Sequence, residues 1–483
     1  MNMVQELAIP LYDEVVNGFN KLLSDQGVTR QESSSVRQAR QSAFERFKEL
    51  GFPTTKNEDW KYTNITRFLK DEFAIAGTDH SAAGHSADGG HDSFTATTAA
   101  LLEQSAIDAL DCYRIVLVNG VWHGKKADEA YPSGVQLFTV AEARLDPAFS
   151  GYFERSAEFE KNHFTALNAA LYTDGLFIRV GAGASPDKPL HIVHVYTSAH
   201  NLLVQPRHVV LVNKNASLSI IESVVSGDGA AGSGASGPGQ GAGGAQVGGG
   251  AKIFVNSLME IIVQPDARMD HTIIQTSGKA TRLVQHITVR QKRQSLYNNF
   301  TFTFPGADLV RNELTLRLEE EHTESHLYGL YLLGGQQLVD NHTLVDHQKP
   351  SCHSNELYKG VLLEKSVGVF NGKVYVHKDA QKTNAFQQNN NLVISKKATI
   401  NSKPQLEIFA DDVKCSHGST VGQFSEDALF YLRARGIGED TAKGLLINAF
   451  AFDITEKIGI PALRAHINHL IEGQIPVTTE DLV

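Results

Sequence analysis

The chain has 483 residues, 41% hydrophobic and 20% charged, which is enough for two or three domains with a substantial buried core. Its net charge of -10 argues against general nucleic-acid affinity, and no basic stripe with interleaved aromatics offsets it. Apolar runs such as Ile115 to Val118 and Leu330 to Leu333 fall far short of the roughly 20 residues that span a bilayer. The start, MNMVQELAIPLYDEVV, carries acids where a signal peptide needs a basic region, so a cytoplasmic protein is expected. Cys112, Cys352 and Cys415 are widely spaced with no CxxC pair, which argues against a disulfide framework or a self-sufficient zinc or cluster site.

The first 70 residues read as helices, with Leu11, Val15, Phe19 and Leu22 at helical spacing, followed by Phe44, Phe47 and Leu50. EDWKYTNI, Glu58 to Ile65, interrupts this pattern and reads as a packing anchor with Trp60 and Tyr62 on one side. Residues 77–93 are low in complexity; their His80, His85 and His91 read as part of a solvated loop rather than a metal site. A short strand at RIVLVNG and helical segments over 140–153 and 162–172 complete an N-terminal, mainly helical domain, 1–174.

Strands take over after Gly175, in a core assigned to 175–424. A Gly, Ala and Ser tract near 226–252 breaks the series and reads as a disordered insert. It lacks the GxxxxGK[ST] signature, so nucleotide binding is not indicated. Beyond it, strand-like segments begin near Ile273, Ile287, Thr301, Leu314, Tyr328 and His342, at successive gaps of 14, 14, 13, 14 and 14 residues. No helix-period segment separates them, which excludes a doubly wound sheet. A β-solenoid explains the regular interval better than the alternative, a sandwich. The alternations FTFTF at Phe300 to Phe304 and LTLRL at Leu314 to Leu318 predict an apolar face packed inward, and the tract Gln387 to Asn391 predicts side-chain ladders at corners. The remaining residues, 425–483, read as three helices: Ser425 caps the first, Gly436 to Gly438 stops it, and Pro461 starts the third. They would cap the end of the solenoid or offer a docking surface.

The most chemically suggestive pair is Cys415 and His417. Leu406, Ile408 and Ala410 alternate with polar residues, and Val413, Cys415 and His417 continue the period after a kink at Asp411-Asp412. Residues i and i+2 of a strand share a face, so thiol and imidazole point the same way. Both are metal-ligand types, but two ligands cannot fill a tetrahedral iron or zinc site, so the rest must come from elsewhere in the chain or from a partner. Lys414 and His417 would ease formation of the thiolate. The plain alternative is a half-buried Cys beside a hydrogen-bonded His. The runs HTESH, His322 to His326, and DNHTLVDH, Asp340 to His347, read as polar positions on the solenoid's outer face. Cys352 and His353 point oppositely, and Cys112 lies outside the repeats.

Three stretches together resemble the SufB/SufD family of iron–sulfur cluster assembly proteins, with the D-type branch closer: EDWKYTNI, the run Ser354 to Ser395, and Asn401 to Ile437 with its CSHG. The resemblance implies a right-handed parallel β-helix core with helical ends. It also implies a non-enzymatic scaffold subunit that pairs with a SufB-type paralogue, while the C-terminal helices contact a SufC-type ATPase and a cysteine desulfurase system supplies sulfur indirectly. Iron or a nascent iron–sulfur cluster shared with the partner is the implied bound group, with Cys415 and His417 as this chain's metal ligands. A reduced flavin in the complex and a homodimer in isolation stay open. From the residues alone, a solenoid carbohydrate-active enzyme and a purely structural binding partner compete with this reading; the first would want clustered acids in a groove, and the acids here are scattered.

Overall fold

The computed structural model describes residues 9–24, 32–77, 95–123, 131–147, 149–154, 162–227 and 251–474. The low-complexity stretch with His80, His85 and His91 and most of the glycine-rich insert lie outside the described residues. From Leu176 on, the chain coils between two sheets whose strands pair in parallel, and consecutive long strands alternate between them. Strands at Thr281–Gln291, Leu309–Leu318, Leu338–His347, Val367–Val376 and Thr399–Ile408 stack in one sheet. Strands at Arg268–Gln275, Leu296–Thr303, Glu324–Leu333, His353–Leu362, Asn384–Val393 and Lys414–Gly422 stack in the other. This is a mainly β solenoid flanked by helices, as the segment spacing predicts.

The register shows what the 14-residue interval measures. Arg268 pairs with Leu296, Leu296 with Glu324, and Glu324 with His353, so segments stack at offsets of 28, 28 and 29 residues. Fourteen residues are therefore half a coil, and neighbours in sequence face each other across the interior instead of stacking. A corner repeats before five of these six strands of the second sheet, all but Lys414–Gly422: Asp266, Gln294, His322, Ser351 and Lys382 have left-handed φ of 57–61°, two residues ahead of the strand. Non-glycine residues accept that conformation at modest cost, Asn, Asp and His most readily, so the geometry recurs without a repeated motif.

The inside of the solenoid holds one continuous apolar cluster, including Met259, Ile273, Leu283, Tyr297, Leu314, Leu316, Leu318, Leu333, Val345 and Val374, interleaved with bonded polar side chains such as Glu222, His271 and Gln275. LTLRL thus packs inward as expected, but FTFTF does not. Phe300, Phe302 and Phe304 face outward, beneath Ile447, Ala451, Ile454, Leu463 and Ile467 of the C-terminal helices Glu439–Thr455 and Pro461–Gly473 and Ile458 between them. A strand covered on both sides need not keep its larger apolar residues inside; here Thr301 and Thr303 take the inward positions, opposite in phase to the phenylalanines. The same packing corrects the cap reading, because these two helices lie along the flank of the second sheet and leave the last coil uncovered. Lys359 fastens them: its Nζ donates to Phe450 O at 2.8 Å and to the Asp453 carboxylate.

The opposite flank carries the N-terminal helices Pro10–Ser24, Ser34–Leu50 and His163–Leu171, whose Leu11, Val15, Phe19, Phe47, Phe164 and Leu167 pack on Leu203, Phe254, Val284 and Leu309. Trp60 is buried here, with the Arg311 guanidinium 3.8 Å from its ring centroid. Tyr62 does not share its side. The chain forms a 3-10 turn at Glu58–Trp60 rather than a strand, and Tyr62 is exposed. No described helix is long and apolar enough to cross a membrane.

Candidate functional site

Cys415 and His417 lie on Lys414–Gly422, the terminal strand of the second sheet. The kink read at Asp411-Asp412 is a full corner: Leu406 belongs to the first sheet and Cys415 to the second. Cys415 pairs in register with Ala385 and packs against the interior cluster, so its side chain points inward. His417 is two residues on and takes the same face, in register with the buried Gln387. Only the Asn384–Val393 side of this strand is paired. Cys415 is consequently half-buried and His417 exposed, at the open end of the solenoid.

The expected ease of ionising Cys415 does not hold. Burial pushes the thiol up, with a backbone group of Ala385 acting the other way, and Lys414 alternates onto the opposite face. A metal ion that takes this sulfur must displace its proton. Among the described residues no three His, Cys, Asp or Glu side chains are placed to hold a metal ion. Thiol and imidazole are one soft and one borderline ligand type, and by themselves the two do not complete a metal site.

Behind the pair the interior is polar. The Gln387 to Asn391 tract is not a corner but part of a strand: Gln387, Asn389 and Asn391 point inward and are buried, while Gln388 and Asn390 face solvent. Asn391 donates to Asn389 at 2.7 Å, Asn389 donates to Tyr331 Oη at 3.0 Å, and Ser402 Oγ donates to Asn389 at 2.8 Å and lies 2.8 Å from Ser419 Oγ in the last coil. Gln387 Nε2 donates to Glu356 Oε2 at 2.7 Å. Glu356 is fully enclosed, and burial pushes its carboxyl up to about 7. From sequence the Gln387 to Asn391 tract read only as corner ladders and Glu356 was not singled out; the signal for an inward network is that polar side chains occupy every second position of a strand in the phase that faces inward.

The other polar runs have structural work. Arg311 binds both Glu313 and Asp340, Asp340 also takes a proton-donating contact from Thr63, and His342 sits 2.9 Å from Asp340. These contacts fasten the tryptophan segment to the first sheet. In HTESH, His326 pairs with Glu324 at 2.8 Å on the outer face. Cys352 is buried in the interior, and Cys112 is half-buried.

Comparison with known proteins gives a consistent picture. A family model described as "SUF system FeS cluster assembly, SufBD core domain" matches residues 194–450, and one described as "SufBD protein N-terminal region" matches 19–192. An iron–sulfur cluster assembly SufBD family protein of Synechocystis is 29% identical over 448 residues, 92% of each chain. The iron–sulfur cluster assembly protein SufD of Escherichia coli is 27% identical over 429 residues, 88% of this chain and 90% of that one. The chloroplastic Protein ABCI7 of Arabidopsis thaliana is 28% identical over 317 residues, 64% of this chain and 62% of that one.

Proposed function

Since the chain belongs to the SufBD family of iron–sulfur cluster assembly proteins, we propose that it is a non-enzymatic, D-type scaffold subunit acting in the cytoplasm. It pairs with a SufB-type paralogue, docks a SufC-type ATPase through its C-terminal helices, and contributes Cys415 and His417 to iron or a nascent cluster at the subunit interface. The observation that carries this reading is the uncovered last coil. Both sheets end there in strands, Thr399–Ile408 and Lys414–Gly422, that no described strand pairs on the outer side. Proteins normally shield such edges, because unpaired backbone groups recruit other strands. Ile408, Phe409 and Val421 are exposed at the same end, and the helix Glu426–Ala434 that follows buries none of its residues, leaving Phe430 and Tyr431 in solvent. A paralogue with a similar open edge would cover this surface and bring the missing ligands to the Cys–His pair. The cluster is cargo in this reading, so an incomplete donor set lets it form and leave.

The test is a complex purified with Cys415→Ala and His417→Ala together. Subunit association should persist, since neither side chain is large, while cluster yield from iron and sulfide falls severalfold. Full yield would remove the metal role, and loss of association would make the pair structural. In the same preparation, truncation after Gly422 should abolish capture of the ATPase.

A further inference from the structure

Gln387 is 2% exposed and held on two sides. From the preceding coil, Glu356 Oε2 takes its Nε2 at 2.7 Å. From the opposite sheet it is crowded by Gly372, where an added Cβ would stand 2.4 Å from Nε2 and 2.9 Å from the amide carbon. The first contact turns the amide nitrogen towards the carboxyl. The other end, Oε1, is buried without a hydrogen-bond partner. Leaving a buried acceptor unsatisfied costs about 1–3 kcal/mol, so such an atom calls for an explanation. His417 is directly in register with Gln387 on the next strand and on the same inward face.

We infer that Gln387 is the positioning residue of the Cys415/His417 site: its free Oε1 accepts the N–H of the His417 ring, and Glu356 holds the amide in the orientation that makes this possible. The inference rests on the reading of His417 as a ligand, but its first half concerns the ring alone. A metal-binding imidazole usually donates its second nitrogen to a carbonyl or carboxylate, which selects the tautomer and turns the bare nitrogen towards the metal. Gln387 supplies that acceptor from behind the strand, so the ligating nitrogen of His417 points out of the open end, towards a partner. Carboxylate, amide and imidazole thus form a three-coil column, Glu356, Gln387, His417. Cys415 has only Ala385 behind it and receives no such support.

The experiment uses the full-length chain labelled with 15N-histidine, with His417→Gln identifying the ring signals of His417. In the unaltered protein the two ring nitrogens should show the shifts of a single tautomer. Gln387→Leu, which keeps the volume and removes the acceptor, should let them drift to the mixture of a free imidazole, and Gln387→Glu, which keeps an acceptor oxygen, should restore the single form. Free-imidazole shifts in the unaltered chain overturn the inference even if Gln387→Leu does not fold. So do shifts that Gln387→Leu leaves unchanged. Binding of ferrous iron alone to the complex with the paralogue is measured in parallel, and Gln387→Leu should weaken it by about 10–100-fold. Iron binding that ignores both Gln387→Leu and the Cys415/His417 double substitution, alongside a tautomer that responds to Gln387, would strike the ligand reading and leave the positioning contact standing.

Discussion

Phe302 and Leu316 are both fully buried, yet they hold different parts of the molecule together, and replacing each by Ala should reveal which. Leu316 fills the solenoid interior, whereas Phe302 fills the layer between the second sheet and the C-terminal helices. Truncation costs about 3–5 kcal/mol for a buried Phe and about 2–5 kcal/mol for a buried Leu, so global stability will not separate them. Location will. In Phe302→Ala the loss falls on helix docking, and about 3 kcal/mol corresponds to roughly a hundredfold rise in local opening. Hydrogen exchange followed by mass spectrometry should show that rise in Glu439–Thr455 and Pro461–Gly473, with little change in Leu309–Leu318. Leu316→Ala should do the reverse, loosening the stacked strands and sparing the helices. Equal protection of the helices in both variants would refute the outward placement of the phenylalanines.

Lys359→Met should also release the C-terminal helices, at a cost of about 2–4 kcal/mol, because it removes a buried donor from Phe450 O and Asp453; the same exchange measurement checks it. Acid should destabilise the fold. Burial pushes His191, His208 and His347 each down to about 3, so the unfolded chain takes up their protons first, and stability falls as pH drops from about 6.5 towards 3. Asp174 and Glu356, pushed up by burial to about 6 and about 7, act oppositely. His163, His353 and His466, also lowered by burial, add to the first three, so the histidines outweigh the two carboxyls and stability falls between about pH 6 and 4.5. His347→Gln, which keeps a partner for Ser354, should flatten that slope, and a urea midpoint level across this range in the unaltered protein would contradict the account. Deleting residues 228–250 should shift the thermal midpoint little, since a Gly, Ala and Ser tract buries almost nothing; a large shift in calorimetry would show that it packs.

The solenoid was legible because its segments recur at a nearly fixed interval with no helix between them, and that survives any change in the residues themselves. Which interval makes a coil was not. A 14-residue spacing describes either a one-strand coil or half of a two-strand coil, and the corner residues Asp266, Gln294, His322, Ser351 and Lys382 share a backbone conformation without a motif that would mark the full turn. Period-two alternation likewise tells which residues share a face but not which face is inside. FTFTF and LTLRL look alike, and only the C-terminal helices, arriving more than 130 residues later, turn one of them outward. The Cys415 and His417 pairing on one face followed from spacing alone. Their exposure at an uncovered end did not, because it depends on where those helices dock.

The interior of the last coils also follows from that open end. The middle coils combine the apolar interior cluster with buried polar side chains that bond one another: Glu222 with His194 and His271, and Gln275 with Gln285, Asn312 and Thr303. Towards the uncovered edge, an apolar filling would present a large hydrophobic mouth to water, inviting unselective pairing. Glu356, Gln387, Asn389 and Asn391 stand there instead: Gln387 bonds Glu356, Asn391 bonds Asn389, and Asn389 bonds Tyr331 and Ser402, which meets Ser419 at the rim. Such a network is rigid only while its members stay bonded, since each broken link strands a buried polar atom. The one buried amide oxygen left open in register with His417 therefore marks where the network is built to accept a further bond.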